Sequence, residues 1–255
     1  MKIATWNVNS LRVRLPHVLQ WLAAAQPDVL AIQETKTVDE QFPVAELEAA
    51  GYSAVFAGQK TYNGVAILSK SPATEVVTDI PGLDDPQRRI LAATLDGVRV
   101  VNLYVVNGAE VGSDKYAYKL DWLAKVTAWL QQQAAAYPKL VVLGDFNIAP
   151  QDRDVHDPAA WGEGILCSPS ERAALQAIQA LGLQDTFRLF EQAEKSFSWW
   201  DYRAGGFRRN HGLRIDLILA SQALVAVCQS CVIEREPRTW EKPSDHTPVV
   251  AVFAA

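Results

Sequence analysis

Cysteine is scarce. Three occur in 255 residues, so they cannot all pair within the chain. Cys228 and Cys231 form a C-x-x-C, but a structural zinc site wants a second pair or nearby histidines, and only Cys167 remains. Small buried residues are the simpler reading, and a reducing, cytoplasmic setting is expected. No apolar run approaches the roughly 20 residues of a membrane span. The opening Met-Lys-Ile-Ala-Thr-Trp-Asn reads as a strand, not a signal peptide. Linkers, low-complexity tracts and repeats of solenoid period are also missing, so one domain over residues 1–255 is expected. Without G-x-S-x-G, a Walker A loop or G-x-G-x-x-G, serine hydrolase, NTPase and dinucleotide-binding readings lose support. An excess of basic residues is missing too: 24 Lys and Arg stand against 29 Asp and Glu, for a net charge of −5. That balance counts mildly against a nucleic-acid binder. Local charge differs, because Tyr202 to Arg214 carries Arg203, Arg208, Arg209 and Arg214 and no acid. A solvated loop and a polyanion contact both fit that stretch.

What is present is apolar strand sequence. Hydrophobic residues make up 49% of the chain, ample for a large core. Val29 to Ile32 and Leu140 to Leu143 are continuous apolar runs, the pattern of strands buried on both faces. Ile90 to Leu95 and Val98 to Val105 flank Asp96-Gly97, a hairpin signal that argues against a purely parallel fold. Strands are also expected at Lys2 to Trp6, Tyr52 to Phe56, Gly64 to Ser69, Phe197 to Tyr202, Arg214 to Leu219, Val225 to Ile233 and Pro248 to Phe253. Leu11, Leu15, Val18 and Leu22 follow helical spacing, with Pro16 placed in the first turn. Pro43 to Ala50 reads as a helix closed by Gly51, and Tyr116 to Tyr137 as a long one. Ser168-Pro-Ser-Glu171 is a capping box opening a helix to about Leu181. About ten strands and four or five helices predict two face-to-face sheets with helices outside.

Several strands end in polar residues: Asn7, Asn9, Glu34, Tyr104, Asp145, Asn147, Asp216, Asp245 and His246. Asp145 and Asn147 stand two apart, which in extended chain puts both side chains on one side. Gly144 before them gives the backbone room to turn. Asn9 and Asn7 share the same spacing, although Asn is also a common turn residue. Oxygen ligands with one His and no Cys suit a hard cation, Mg²⁺ or Mn²⁺, not zinc. Phosphoester hydrolysis needs an activated water, a metal and donors around the phosphate. A metal-dependent phosphoesterase is therefore the first reading from residue types alone.

Seven motifs in order, from Trp6-Asn-Val-Asn9 to Ser244-Asp-His-Thr-Pro248, carry a resemblance over essentially the whole chain. Between them lie Gln33-Glu-Thr-Lys36, Tyr62-Asn-Gly-Val-Ala-Ile67, Leu143-Gly-Asp-Phe-Asn-Ile-Ala-Pro150, Phe197-Ser-Trp-Trp-Asp-Tyr-Arg203 and Leu213-Arg-Ile-Asp216. The set resembles the exonuclease III family of abasic-site (AP) endonucleases and 3′-exonucleases. The resemblance implies a deoxyribonuclease-I-like four-layer α/β sandwich, two packed mixed sheets flanked by helices. It implies a Mg²⁺ cofactor, with Mn²⁺ as substitute, and a monomer acting on double-stranded DNA with abasic sites or damaged 3′ ends. Glu34 would be the metal ligand with Asn7 beside it, and Asp145, Asn147, Asp245 and His246 complete the candidate metal set. Asp145 would position and deprotonate the attacking water. Asn147 and Tyr104 would hold phosphate oxygens, and His246, oriented by Asp216, would contact the scissile phosphate. Asn9 and Arg203 fall on the substrate side. Trp199, Leu213 and Ile215 match positions lining a pocket for a flipped-out abasic sugar.

Two departures from the family pattern stand out. Val106 occupies a place where the family usually has Pro, so no ring fixes the backbone before Asn107. Leu213 stands where some relatives have Trp, which predicts a roomier pocket. The loop from Trp161 to Cys167 lies where relatives vary. A phosphatase of the same fold acting on an inositol phosphate or phospholipid headgroup would use the same Glu34, Asp145, Asn147, Asp245 and His246. A non-catalytic DNA-binding module finds no support, because every position that carries chemistry holds a competent residue.

Overall fold

The computed structural model describes residues 1–254. In chain order the elements are β1 (Lys2–Asn7), α1 (Leu11–Ala25), β2 (Val29–Gln33), α2 (Val44–Ala49), β3 (Ser53–Ala57), β4 (Val65–Ser69) and β5 (Thr74–Val77). Next come β6 (Ile90–Leu95), β7 (Val98–Tyr104), α3 (Asp114–Ala136), β8 (Leu140–Asp145), α4 (Pro158–Trp161), α5 (Pro169–Gln179) and β9 (Leu183–Asp185). The last are β10 (Trp199–Trp200), α6 (Gly206–Arg209), β11 (Gly212–Leu213), β12 (Asp216–Ser221), α7 (Gln222–Val225), β13 (Cys228–Ile233) and β14 (Val249–Phe253).

Two six-stranded sheets form, in the orders β13-β14-β1-β2-β4-β3 and β5-β6-β7-β8-β12-β9. Each contains both parallel and antiparallel neighbours. Alternation along each strand sorts side chains to two faces. Ile3, Ala31, Ile67, Leu91, Val100, Val141, Leu143 and Ile218 turn inward, and the two sheets share this core. Ala4, Trp6, Leu30 and Ile32 turn outward under α1 and α2. On the other side Val101, Val142, Leu217 and Leu219 turn outward under α3 and α5. The layers therefore run helix, sheet, sheet, helix, as the strand runs predicted.

Local signals behave as their chemistry requires. Asp96 and Gly97 have φ of 48° and 79°, the two left-handed residues of a type I′ hairpin. Ser168 and Glu171 form the expected capping box of α5. Gly144 is needed for a different reason from the one its position suggests. The strand continues through it to Asp145, and with φ at 137° a Cβ would meet the Leu103 carbonyl oxygen at 1.9 Å. Glycine lets β8 press against β7. Pro16 lies inside α1 as its sixth residue, not in the first turn. Phe197 to Tyr202 is extended over only Trp199 and Trp200, which pair with Leu213 and Gly212. Arg214 precedes its strand, which starts at Asp216. The unforeseen strands β5, β9 and β11 have four residues or fewer, and α4, α6 and α7 have four each, too short to show a period. The three cysteines are unpaired, and Cys231 is buried with its sulfur beside Thr186 Oγ1 at 3.2 Å.

Candidate active site

The central strands of both sheets end at one edge of the sandwich. β1 and β2 run parallel with Asn7 opposite Gln33, so Asn7 and Glu34 emerge together. In the second sheet Asp145 stands opposite Tyr104 on one side and Asp216 on the other. Asn7 joins the two sheets: its Nδ2 donates to Glu34 Oε1 and to Asp145 Oδ2, both at 2.9 Å. His246, from the loop before β14, closes the set. Its Nδ1 lies 2.8 Å from Asp216 Oδ2, and its Nε2 lies 3.6 Å from Asp145 Oδ2. The Asp216 contact fixes the ring and turns Nε2 toward Asp145.

Burial shapes the electrostatics. Asp145 is 1% exposed. Burial raises its carboxyl first; His246 and the Asn7 amide act against that rise, and Asp216 adds to it. For His246, burial lowers the pKa but is outweighed by Asp216 and Asp145, so the imidazolium is favoured. Glu34 goes the other way. Desolvation there is overcome by the Asn7 amide, Lys36 and His246, and the carboxylate stays ionised. Tyr104 is pushed well up by burial and by the Glu34 and Asp145 charges, so its phenol stays neutral and able to donate. Two carboxyls with pKa values pushed apart are the mark of divided roles.

One oxygen each from Glu34 and Asp145 and one ring nitrogen from His246 lie within 4.8 Å of one another. This donor set, mostly oxygen at one sheet edge, fits a hard divalent cation. Asn7 Nδ2 bridges the two carboxylates as a cation would, while Asn7 Oδ1 accepts from Asn9 N at 3.0 Å. To serve as a ligand Asn7 would turn its amide by half a rotation.

A family model described as the endonuclease/exonuclease/phosphatase family matches residues 4–246. The chain belongs to this family. It is 38% identical to exodeoxyribonuclease III of Haemophilus influenzae, over 99% of this chain and 100% of that protein. Among solved structures it is similar to the 3′ phosphatase NExo from Neisseria bound to product DNA hairpin, at 48% identity and TM-score 0.98 over all of both chains. It is also similar to an AP endonuclease from Archaeoglobus fulgidus, at 39% identity and TM-score 0.96 over all of both chains.

The remaining family positions are placed less uniformly. Asn147 reaches the site through a turn, not as extended chain: its φ is 48° and its N–H donates to Asp145 Oδ1 at 2.9 Å. Its amide is occupied at both ends, donating to the Val105 carbonyl at 2.9 Å and accepting from Asn107 Nδ2 at 3.2 Å. That arrangement makes it the anchor that holds Asn107 despite Val106. Asp245 does not join the cation cluster. Its oxygens accept from Trp199 Nε1 at 3.0 Å and Asn9 Nδ2 at 3.1 Å, so it orients those two side chains. Trp199 is half-buried, but Leu213 and Ile215 are 0% and 1% exposed. Leu166 joins their cluster, with Trp161 and Ile165 packed on it. The expected roomier pocket at Leu213 is thus filled by the chain's own loop. Arg203 is exposed and paired with Asp201, an acid just outside the basic stretch. Arg214 corrects the reading of that stretch: it is 1% exposed and pairs with Asp154 and Asp185, so it belongs to an internal ion-pair network and not to a solvated loop.

Several family-site supports gave little signal in sequence. Lys36 Nζ contacts Glu34 at 3.1 Å and Asn9 Oδ1 at 2.6 Å. Arg14 holds the Asn9 carbonyl and reaches Tyr202 OH at 3.3 Å. Lys119 and Glu171 form a fully buried ion pair. Lys119 Nζ also donates to the carbonyls of Asn147 at 2.7 Å and Asn107 at 3.0 Å. In a long helix Lys119 looks like any solvated lysine, and Glu171 is explained by its capping box alone.

Proposed function

We propose that the protein is a Mg²⁺-dependent DNA-repair phosphodiesterase of the exonuclease III type. It hydrolyses the backbone 5′ to abasic sites and removes nucleotides or blocking groups from 3′ ends, as a single domain and a monomer, in the cytoplasm of a bacterium. The observation that carries this reading is the Asp145–His246–Asp216 array with Glu34 beside it, at the common edge of two sheets. Glu34 and Asp145 would hold the cation, whose positive charge would offset the negative charge of the phosphate oxygens. Asp145 takes the proton of the attacking water as the water's oxygen bonds to phosphorus, and the P–O3′ bond breaks to release the 3′ oxygen, which takes up a proton from water. His246, charged and fixed by Asp216, donates from Nε2 to the phosphate, and Tyr104 adds a neutral donor. DNA is supported as substrate by the name of the Haemophilus relative and by the Neisseria protein bound to product DNA hairpin. The closed cluster at Leu213 and Ile215 favours 3′ ends over an extruded internal sugar.

The test uses two labelled duplexes in Mg²⁺, one with an internal stable abasic analogue and one with a recessed, undamaged 3′ end. Cleavage or trimming that EDTA abolishes is expected, with the 3′ end processed faster. Asp145→Asn folds normally and loses about three orders of magnitude in rate, the middle of the range for a general base. Activity near wild type in that variant would overturn the assignment. Action on neither duplex, with EDTA-sensitive hydrolysis of small phosphoesters, would favour the same-fold phosphatase instead.

A further inference from the structure

Away from the sheet edge, a cavity of about 460 Å³ opens between α5, β9 and the segment around Pro150 to Arg153. Its lining includes Arg153, Arg172, Arg188 and Arg214, with Asp185 as the sole acid among the lining residues. Two more acids stand close by. Asp154 is fully buried and is shared by Arg188, Arg214 and the Gln151 N–H. Asp152 takes Arg172 Nη1 at 2.8 Å. Asp185 is shared by Arg214 at 2.7 Å and the Phe187 N–H at 3.2 Å. Four guanidinium groups thus meet three carboxylates, in a chain whose net charge is −5.

The donors exceed the acceptors. Arg172 Nη2, Arg188 Nε and Arg214 Nη1 are shielded from solvent and have no partner among the described residues. A buried donor left unpaired is destabilising, and more so when the group is charged. Arg214 is rigid, held at 1% exposure by its two carboxylates. Arg172 and Arg188 are about a fifth exposed, at 22% and 23%, and have room to turn toward a ligand. Like charges also crowd: burial, then Arg214 beside it, holds Arg188 below its ordinary range. An anion in the cavity would take the donors that Arg172 and Arg188 can turn toward it, and its charge would offset the crowding with Arg214. Planar, forked guanidinium groups match the oxygens of phosphate.

We propose that this cavity is an anion site for a phosphate group, separate from the catalytic cluster. A phosphate of a DNA strand or a free phosphate ion would supply the same chemistry. Only the DNA source rests on the nuclease reading above. The test follows the Arg172 and Arg188 Nε–H resonances by NMR in EDTA, first with inorganic phosphate. A saturable shift is expected. Gln176→Glu, which places a negative charge on an exposed lining residue, should weaken phosphate binding at least fivefold with an unchanged thermal midpoint. Arg153→Gln, at another exposed position, provides the second variant, with the same direction expected. No shift in the wild type, or equal affinity in both variants, would overturn the site. A DNA hairpin with a recessed 3′ end forms the other arm. If it moves the same resonances and phosphate competes, the cavity takes a strand phosphate. If phosphate moves them and DNA does not, the cavity takes the free ion. The phosphate arm needs no turnover, so it stands or falls independently of whether DNA is cleaved.

Discussion

At Asp145 the competition between burial and nearby charge has a measurable consequence. The carboxyl is raised from 3.8 to about 7, chiefly by burial. A raised carboxyl makes the folded state bind more protons than the unfolded one between those values. Its stabilising contribution is therefore full at low pH and is lost as pH rises through about 7. Metal binding runs opposite, because the cation must displace that proton. Affinity for Mg²⁺ or Mn²⁺ should rise roughly tenfold per pH unit toward 7 and level off above it, which calorimetry across pH 5 to 8 would check. Asp145, Glu34, Asp216 and His246 were legible as candidates because each stands at the end of a buried run or beside one. Asn147 was legible by type but not by geometry. Its left-handed φ of 48° breaks the extended spacing, and its amide binds neighbours that are distant in sequence.

Two elements meet behind the site. α3 contributes Lys119 and α5 contributes Glu171, and the pair spans the loops bearing Asn107, Asn147 and Leu166. Removing one partner leaves a buried charge, so Lys119→Met should cost about 3–5 kcal/mol in urea unfolding. Lys119→Met with Glu171→Leu should cost less than Lys119→Met alone, since no lone charge remains. The loop between α4 and α5 carries the other element-scale prediction. Leu166 is buried at φ 72°, a conformation that disfavours a branched side chain. Leu166→Gly relieves that conformation and uncovers Leu213 and Ile215. The ratio of abasic-site cleavage to 3′ trimming should rise severalfold, measured on the two duplexes; an unchanged ratio would mean this loop does not set the choice. The capping box of α5 was legible because its residues are three apart. The ion pair was not, because its partners are 52 residues apart.

The two sheets are joined by more than apolar packing. Gln33 Nε2 in β2 donates to Asn102 Oδ1 in β7 at 2.8 Å, and Asn102 Nδ2 donates to the carbonyls of Ile32 and Ala66, each at 2.9 Å. Both side chains have no exposed surface. Asn102→Ala leaves the Gln33 amide and two carbonyls short of partners, and should lower global stability by about 2–4 kcal/mol in denaturant titration. An apolar strand with one Asn in it carries no sign of this bridge until the second sheet is laid against it.

What the sequence determined by itself is whatever depends on near neighbours or on ordered motifs. Alternating and continuous apolar runs specified the strands and two buried faces, Asp96-Gly97 the hairpin, and Ser168 to Glu171 the cap. The ordered motifs marked the family that the match over residues 4–246 establishes. The tertiary structure alone decided which groups meet. Asn7 and Asp145 are 138 residues apart and share a hydrogen bond because two sheets pack with their strand ends aligned. The same packing put Arg214 inside with Asp154 and Asp185, and turned Asp245 toward Trp199. Residue type sets what a side chain can bind; only the assembled layers set which partner lies within 3 Å and how much water is left around it.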